Sequence, residues 1–277
     1  MKITLRGVRG SIPTTHPLMA YYGGNTSCAV VEEEGWLLIL DAGSGMQQIR
    51  AQPDASIQRV DVLLTHLHLD HILGLGFFGL FFNPDLDVHI WGPAGTSSLH
   101  ARLSRYLSPP LFPVLLRDLP CTLSLHEVGN SEWNIGPFDI RSDFVIHPGP
   151  TVGYRVSNGR SVFTYIPDHE PALGAKGLIP DPHWLSGYEL AAGADLLLHD
   201  AQYSREEYPS RLGWGHSSMD DALQFAEIAG AKKLLLAHHD PSHTDEQLTA
   251  MHEGLLLRAR PALVCELAIE GKEFMLP

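Results

Sequence analysis

Cysteine is scarce in this chain: Cys28, Cys121 and Cys265 are the three found in 277 residues. Widely separated and odd in number, they exclude a disulfide framework and a paired-cysteine metal motif, and they read as reduced, structural thiols. No stretch of 18 or more apolar residues occurs, which excludes a helical membrane span. The start, Met1 to Gly7, alternates like a strand and lacks the apolar core and small-residue cleavage site of a secretory signal. The expectation is a soluble, cytoplasmic chain with no membrane partner. Basic side chains are also in the minority, 19 against 32 acidic ones, for a net charge of -13. General affinity for a nucleic-acid backbone needs the opposite balance, so large RNA or DNA is not expected as a partner. No repeat, low-complexity tract or charge block marks a linker. With 44% hydrophobic residues a sizeable core is available, and one domain spanning 1–277 is expected, since α/β folds run to about 250 residues as one unit.

What the chain has is histidine in one place. Thr65-His66-Leu67-His68-Leu69-Asp70-His71 follows directly on the apolar run Val60 to Leu64. Strand-like alternation sends His66 and His68 to one side, and a turn into the next segment aims Asp70 and His71 at a neighbouring position. A histidine-rich surface loop is the plainer alternative. Four ligand-type side chains at the end of a strand favour divalent transition metal instead, and one ion could hardly use all four.

Other apolar runs read as strands at Ile3 to Val8, Ser27 to Glu32, Trp36 to Leu40 and Val88 to Trp91. A second set covers Phe138 to Ile146, Thr151 to Val156, Ser161 to Tyr165, Asp195 to Leu198, Lys233 to Ala237 and Leu263 to Ile269. Two sheets are implied. A helix is predicted between Ser218 and Gly230, where Met219, Ala222, Leu223, Ala226 and Ala229 repeat at helical spacing, with Ser218 and Asp221 resembling a capping box. Thr244 and Gln247 form another box ahead of Leu248, Met251, Leu255 and Leu256.

The histidine-rich segment resembles the HxHxDH signature of the metallo-β-lactamase superfamily, and the resemblance extends over nearly the whole chain. Asp41, ending the run Trp36 to Leu40, looks like that family's supporting aspartate. His147 before Pro148-Gly149, Asp168 after Val162 to Pro167, and His238 after Leu234 to Ala237 match its later motifs. The resemblance implies a four-layer αββα sandwich of two mixed sheets flanked by helices. It implies two divalent metal ions, zinc foremost with manganese or iron acceptable to the same donors. His66, His68 and His147 would hold one ion, Asp70, His71 and His238 the other, with Asp168 between them. His239 stands beside His238 and competes for that position; its other readings are a substrate or supporting contact, or an ordinary polar residue.

Leu198-His199-Asp200-Ala201-Gln202-Tyr203 and Gly213-Trp214-Gly215-His216-Ser217-Ser218 resemble paired elements of phosphodiesterase-type members, the ribonuclease Z group among them. They imply His216 as a general acid oriented and kept charged by Asp200, with Asp70 assisting proton transfer; a buried His–Asp pair tying two loops together is the structural alternative. Tyr22 to Cys28, Pro167 to Pro171 and His238 to Pro241 recur together in small phosphodiesterase-like members. No long basic, glycine-rich insertion resembles the tRNA-binding arm of ribonuclease Z. The leading expectation is therefore a dinuclear hydrolase of small anionic phosphodiesters such as cyclic nucleotides, with a homodimer left open. The other two readings are a carboxylic ester or lactone hydrolase on the same metals, and a metal-bearing sensor without turnover. Asn25 reads as a turn residue. Phe77, Phe78, Phe81 and Phe82 read as core or subunit contact rather than a stacking surface, and Ser108 to Pro113 as a rigid connector.

Overall fold

A computed structural model describes residues 1–49, 59–173, 177–179 and 181–277. The first sheet contains β1 (Lys2–Gly7), β2 (Cys28–Glu33), β3 (Trp36–Leu40), β4 (Arg59–Leu63), β5 (Asp87–Pro93) and β6 (Thr122–Val128). The second contains β7 (Ser131–Ile135), β8 (Phe138–Phe144), β9 (Val152–Ser157), β10 (Val162–Ile166), β11 (Leu196–Asp200), β12 (Lys233–Ala237) and β13 (Val264–Leu267). The chain then returns to the first sheet as β14 (Glu273–Met275), pairing with β1. The two orders are β14-β1-β2-β3-β4-β5-β6 and β13-β12-β11-β10-β9-β8-β7. β3 to β6 run parallel, as do β10 to β13, and the remaining pairs are antiparallel.

Central strands are apolar on both faces because both faces are covered. In β3, Leu38 and Leu40 face the inter-sheet core while Leu37 and Ile39 face outward. In β12, Leu235 and Ala237 point inward, and Leu234 and Leu236 meet the outer helical layer. That layer includes α3 (Tyr188–Ala191), α4 (Met219–Ala229) and α5 (Asp245–Ala259), whereas α1 (Leu69–Ile72) and α2 (Leu99–Tyr106) lie with the first sheet. The result is the expected four-layer αββα sandwich. Among the described residues no helix is long and apolar enough to cross a membrane.

Three strands absent from the sequence reading, β6, β7 and β14, lie at or next to sheet ends. Such strands keep half their side chains in water, so Thr122–Val128 and Ser131–Ile135 carry no continuous apolar run. Both predicted caps are present in different forms. Thr244 and Gln247 complete a reciprocal capping box on α5. On α4 the Ser218 hydroxyl accepts the Asp221 N–H but donates its own proton to the Asp221 carboxylate, so the box is not closed. Phe78 and Phe81 are core residues; Phe77 and Phe82 are exposed. The three cysteines are buried free thiols.

Candidate metal centre

The parallel strands deliver their last residues to one edge of the sandwich. Asp41 follows β3, Thr65 to His71 follow β4 and lead into α1, Asp168 follows β10, Asp200 ends β11 and His238 follows β12. His147 comes from the turn after β8. The sheets are tied together here: Val152 N–H donates to Thr65 O at 2.9 Å, and Gly10 N–H to His239 O at 2.9 Å. Ser11, Asp41 and His238 have φ of 62°, 59° and 60°. Left-handed backbone at non-glycine residues costs about 1–3 kcal/mol each, so the fold concentrates strain where the polar side chains converge.

His66, His68 and His147 lie together with Asp168, and Asp70, His71 and His238 form an adjoining group. Asp168 faces both. Its Oδ2 is 3.7 Å from His66 Nε2 and 3.7 Å from His147 Nε2. Its Oδ1 is 3.0 Å from His71 Nε2 and 3.3 Å from His238 Nε2. Asp70 Oδ2 is 3.2 Å from His238 Nε2 and 3.4 Å from His71 Nε2. His68 Nδ1 lies 3.2 Å from His147 Nε2, nitrogen facing nitrogen.

Whether this cluster suits metal ions is decided by its unsatisfied atoms. His66 Nε2, His71 Nε2 and Asp168 Oδ1 are buried without a hydrogen-bond partner, a costly state for polar atoms that nothing ligates. Imidazole nitrogens and carboxylate oxygens without thiolate are a donor set for divalent cations. Burial pushes the His66 imidazole well below its ordinary pKa, with the charge on His71 adding to the effect, and burial also lowers His68 and His147. These three therefore present neutral, ligating nitrogens. His71 goes the other way. Burial opposes its charge, but Asp168, Asp70 and Asp41 together hold it well above the usual histidine range. Burial would raise the Asp168 carboxyl, yet His238, His71 and His66 hold it well below. The negative field that keeps a proton on His71 is the field a cation would meet, and binding would release that proton.

Supporting hydrogen bonds fix which nitrogen points inward. Asp41 Oδ2 accepts from His71 Nδ1 at 2.7 Å, while Asp41 Oδ1 accepts from Thr65 N–H at 2.7 Å. Gly215 O accepts from His147 Nδ1 at 2.7 Å. Ser11 N–H donates to Asp70 Oδ2 at 2.8 Å. His238 is backed by Gly10, where a Cβ would lie 2.5 Å from His238 Nδ1. The neighbouring His239 turns away, its Nε2 meeting Ala268 O at 2.9 Å, and burial lowers its pKa to about 3.

His216 stands beside this cluster, its ring stacked 4.8 Å from His238 and edge-on to His147 at 5.1 Å. Its Nδ1 is 2.7 Å from Asp200 Oδ2. Burial disfavours charge on this ring, but Asp200, with Asp168 and Asp70 beyond it, raises its pKa to about 9. The fully buried Asp200 is itself held by N–H groups of His169 at 3.0 Å and Gln202 at 3.1 Å. Glu170, also fully buried, accepts from Gly213 N–H, Gly215 N–H and Tyr208 OH, clamping the loop that carries His216. The sequence reading assigned no part to Ser11, His169 or Glu170. Ser11 and His169 act through backbone N–H groups, which carry no side-chain signature, and Glu170 was visible only as part of the Pro167 to Pro171 segment. Asn25 is structural, its amide donating to Glu270 at 2.7 Å and accepting from Ser44 Oγ at 2.8 Å.

Comparison with known proteins bears on this site. The beta-lactamase superfamily domain matches residues 36–239, and the chain belongs to that superfamily. Ribonuclease Z of Brevibacillus brevis is 26% identical over 300 aligned residues, covering 94% of this chain and 92% of the relative. Ribonuclease Z of Haloarcula marismortui is also 26% identical, covering 99% and 96%. Among solved structures, human tRNase Z, short form, superposes with a TM-score of 0.68 at 21% identity over the full length of both chains. A diphosphatase from the PhnP family gives 0.69 at 20% identity, covering 100% of this chain and 98% of that one; both likenesses confirm the fold. These relatives correct one expectation. The exclusion of large nucleic acid does not stand, because relatives matched along nearly their whole length are named as ribonucleases. Net charge sums over surfaces that a substrate never meets, so -13 for the whole chain does not describe the field at one edge of the sandwich.

Proposed function

We propose that this member of the beta-lactamase superfamily is a dinuclear, metal-dependent phosphodiester hydrolase. The observation that carries the reading is Asp168, which turns one oxygen to His66 and His147 and the other to His71 and His238. In this reading His66, His68 and His147 would hold one ion, Asp70, His71 and His238 would hold the other, and Asp168 would be shared between them. Zinc fits best, and manganese or iron would be accepted by the same donors. Two divalent cations bound there would supply Lewis-acid charge and an acidified water. The chain's own residues do the rest. Asp41, Thr65 and Gly215 fix the rings, and His216 keeps its proton beside Asp200 until the leaving oxygen of the ester needs it. Asp70, anchored by the Ser11 N–H, is placed to take part in proton transfer.

The names of the relatives support the phosphodiester as the bond broken, and small diesters such as cyclic nucleotides fall within that class. The test uses metal-replete protein on bis-p-nitrophenyl phosphate, 2′,3′- and 3′,5′-cyclic nucleotides, a short RNA and a lactone, with metal content measured in parallel. Turnover of the phosphodiesters with two ions per chain is expected. Lactone turnover alone would transfer the site to ester chemistry, and no turnover with both ions bound would leave a sensor.

Two substitutions test the supporting residues. As an acceptor, Asp41 compels His71 to carry its proton on Nδ1 and leaves Nε2 for a metal. Asp41→Asn offers a donor there instead and is expected to weaken metal affinity about 10–100-fold, measured by competition with a chromogenic chelator. Gly10→Ala puts a methyl group 2.5 Å from His238 Nδ1. It should shift that ring and lower occupancy beside Asp70 and His71 without changing any ligand, a loss read by metal analysis.

A further inference from the structure

Behind the His216–Asp200 pair lies a second pair of histidines that the chemistry above leaves unused. His169 and His199 are fully buried, and their rings pack against Phe225 at 5.4 and 4.7 Å. Burial lowers both imidazoles, His169 well below its ordinary pKa and His199 to about 4, so each ring is neutral and carries one proton. The partners decide where those protons sit. A carbonyl oxygen only accepts, so the 2.8 Å contact of His199 Nδ1 with Asp200 O puts a proton on that nitrogen and leaves His199 Nε2 bare. The 3.0 Å contact between His199 Nε2 and His169 Nδ1 then takes its proton from His169. His169 Nε2 is left as a buried lone pair with no protein hydrogen-bond partner among the described residues. An apolar side chain in the same place would avoid that cost to stability. What the histidine supplies is one directed N–H.

The backbone of His169 holds both members of the neighbouring pair. Its N–H donates at 3.0 Å to Asp200 Oδ2, the oxygen that also meets His216 Nδ1. Its carbonyl accepts at 2.6 Å from the hydroxyl of Ser217, the residue after His216. With the side chain joined through His199 to the Asp200 carbonyl, three separate connections lead from one residue to the pair. Asp168 precedes it in the chain, and Glu170 after it accepts from the Gly213 and Gly215 N–H groups. His216 Nδ1 lies 3.9 Å from Asp168 Oδ2, and that separation is set across the single residue His169.

We propose that His169 is a positioning residue for proton donation: its imidazole, acting through His199, locks the end of β11, and with it the Asp200 carboxylate that aims His216, at a fixed distance from Asp168. This rests on the phosphodiesterase reading with His216 as the acid, and the experiment separates the two. Metal-replete wild type is compared with His169→Leu, which keeps bulk without a donor, and with His169→Asn, whose amide N–H replaces the one on Nδ1. In His169→Leu, kcat on the 2′,3′-cyclic ester of adenosine should fall about tenfold, a part of the roughly 10² to 10⁴ that a general acid contributes. KM and metal content should hold, and the fall on bis-p-nitrophenyl phosphate should be smaller. His169→Asn should recover most of the loss. Equal falls on the two esters, loss of metal, or no recovery in a folded His169→Asn would overturn the assignment. Ring-nitrogen NMR reads the same geometry without turnover. His169 and His199 of the wild type should both be protonated at Nδ1 and bare at Nε2, a result that stands even if neither variant folds; a proton on His169 Nε2 instead would refute the relay. If the wild type turns over no phosphodiester while the His216 ring signal shifts in His169→Leu and returns in His169→Asn, the positioning stands and the reaction falls.

Discussion

Replacing Asp168 by alanine is expected to remove bound metal and phosphodiester hydrolysis together. The reason is positional. Asp168 is buried, accepts no hydrogen bond at Oδ1, and lies within 3.7 Å of four imidazoles drawn from both groups of ligands. Without it the nitrogens of His66, His71, His147 and His238 converge on an uncharged gap, and the shared negative charge that would hold two cations close together is gone. Loss of Lewis-acid stabilisation worth several kcal/mol corresponds to a fall of about three orders of magnitude or more in rate. Asp168→Asn is the companion variant. It keeps the shape of the side chain, so a folded protein with well under two ions per chain would locate the effect in the charge. Mass spectrometric metal analysis and bis-p-nitrophenyl phosphate turnover measure both. Full metal content with a normal rate would refute the spanning role.

The parts of this molecule that were legible in its sequence are those where one physical requirement acts on consecutive residues. β3, β4, β10, β11 and β12 are buried on both faces, so each appears as a largely apolar run, interrupted by Asp61 in β4 and Thr164 in β10, and each ends where a polar group must emerge. The His66 to His71 cluster is local for the same reason: one turn after β4 and a short helix supply four ligand-type side chains. His147, Asp168 and His238 are single residues far apart in the chain, and family resemblance rather than spacing brought them into view. What stayed hidden depends on backbone or on sums. Ser11 and His169 contribute N–H groups. β6, β7 and β14 lie where half the side chains face water. The inference from net charge failed because 32 acidic and 19 basic residues averaged over the chain say nothing of the cluster where Asp41, Asp70 and Asp168 surround one imidazole.

His216→Ala should lower the rate on nucleotide esters by about 10² to 10⁴, the range typical of a lost general acid, while metal content stays at the wild-type level. His216 is separable from the ligands because its Nδ1 is already committed to Asp200 at 2.7 Å, and because its pKa, raised to about 9, keeps it protonated near neutral pH. A ring that is charged and oriented in this way has a proton to give, and gives it where the departing oxygen is a poor leaving group. The leaving group therefore separates catalysis from architecture. A nucleoside alkoxide needs the proton, whereas p-nitrophenolate departs as a stable anion. His216→Ala should consequently cost bis-p-nitrophenyl phosphate far less than it costs a cyclic nucleotide. Asp200→Asn, which keeps the hydrogen bond but removes the charge, should fall between wild type and His216→Ala on the nucleotide ester. A purely structural His–Asp pair would instead lower both substrates by the same factor, since a displaced loop does not distinguish one leaving oxygen from another. Equal losses on the two esters would therefore reduce His216 and Asp200 to a tie between the β11 and α4 loops.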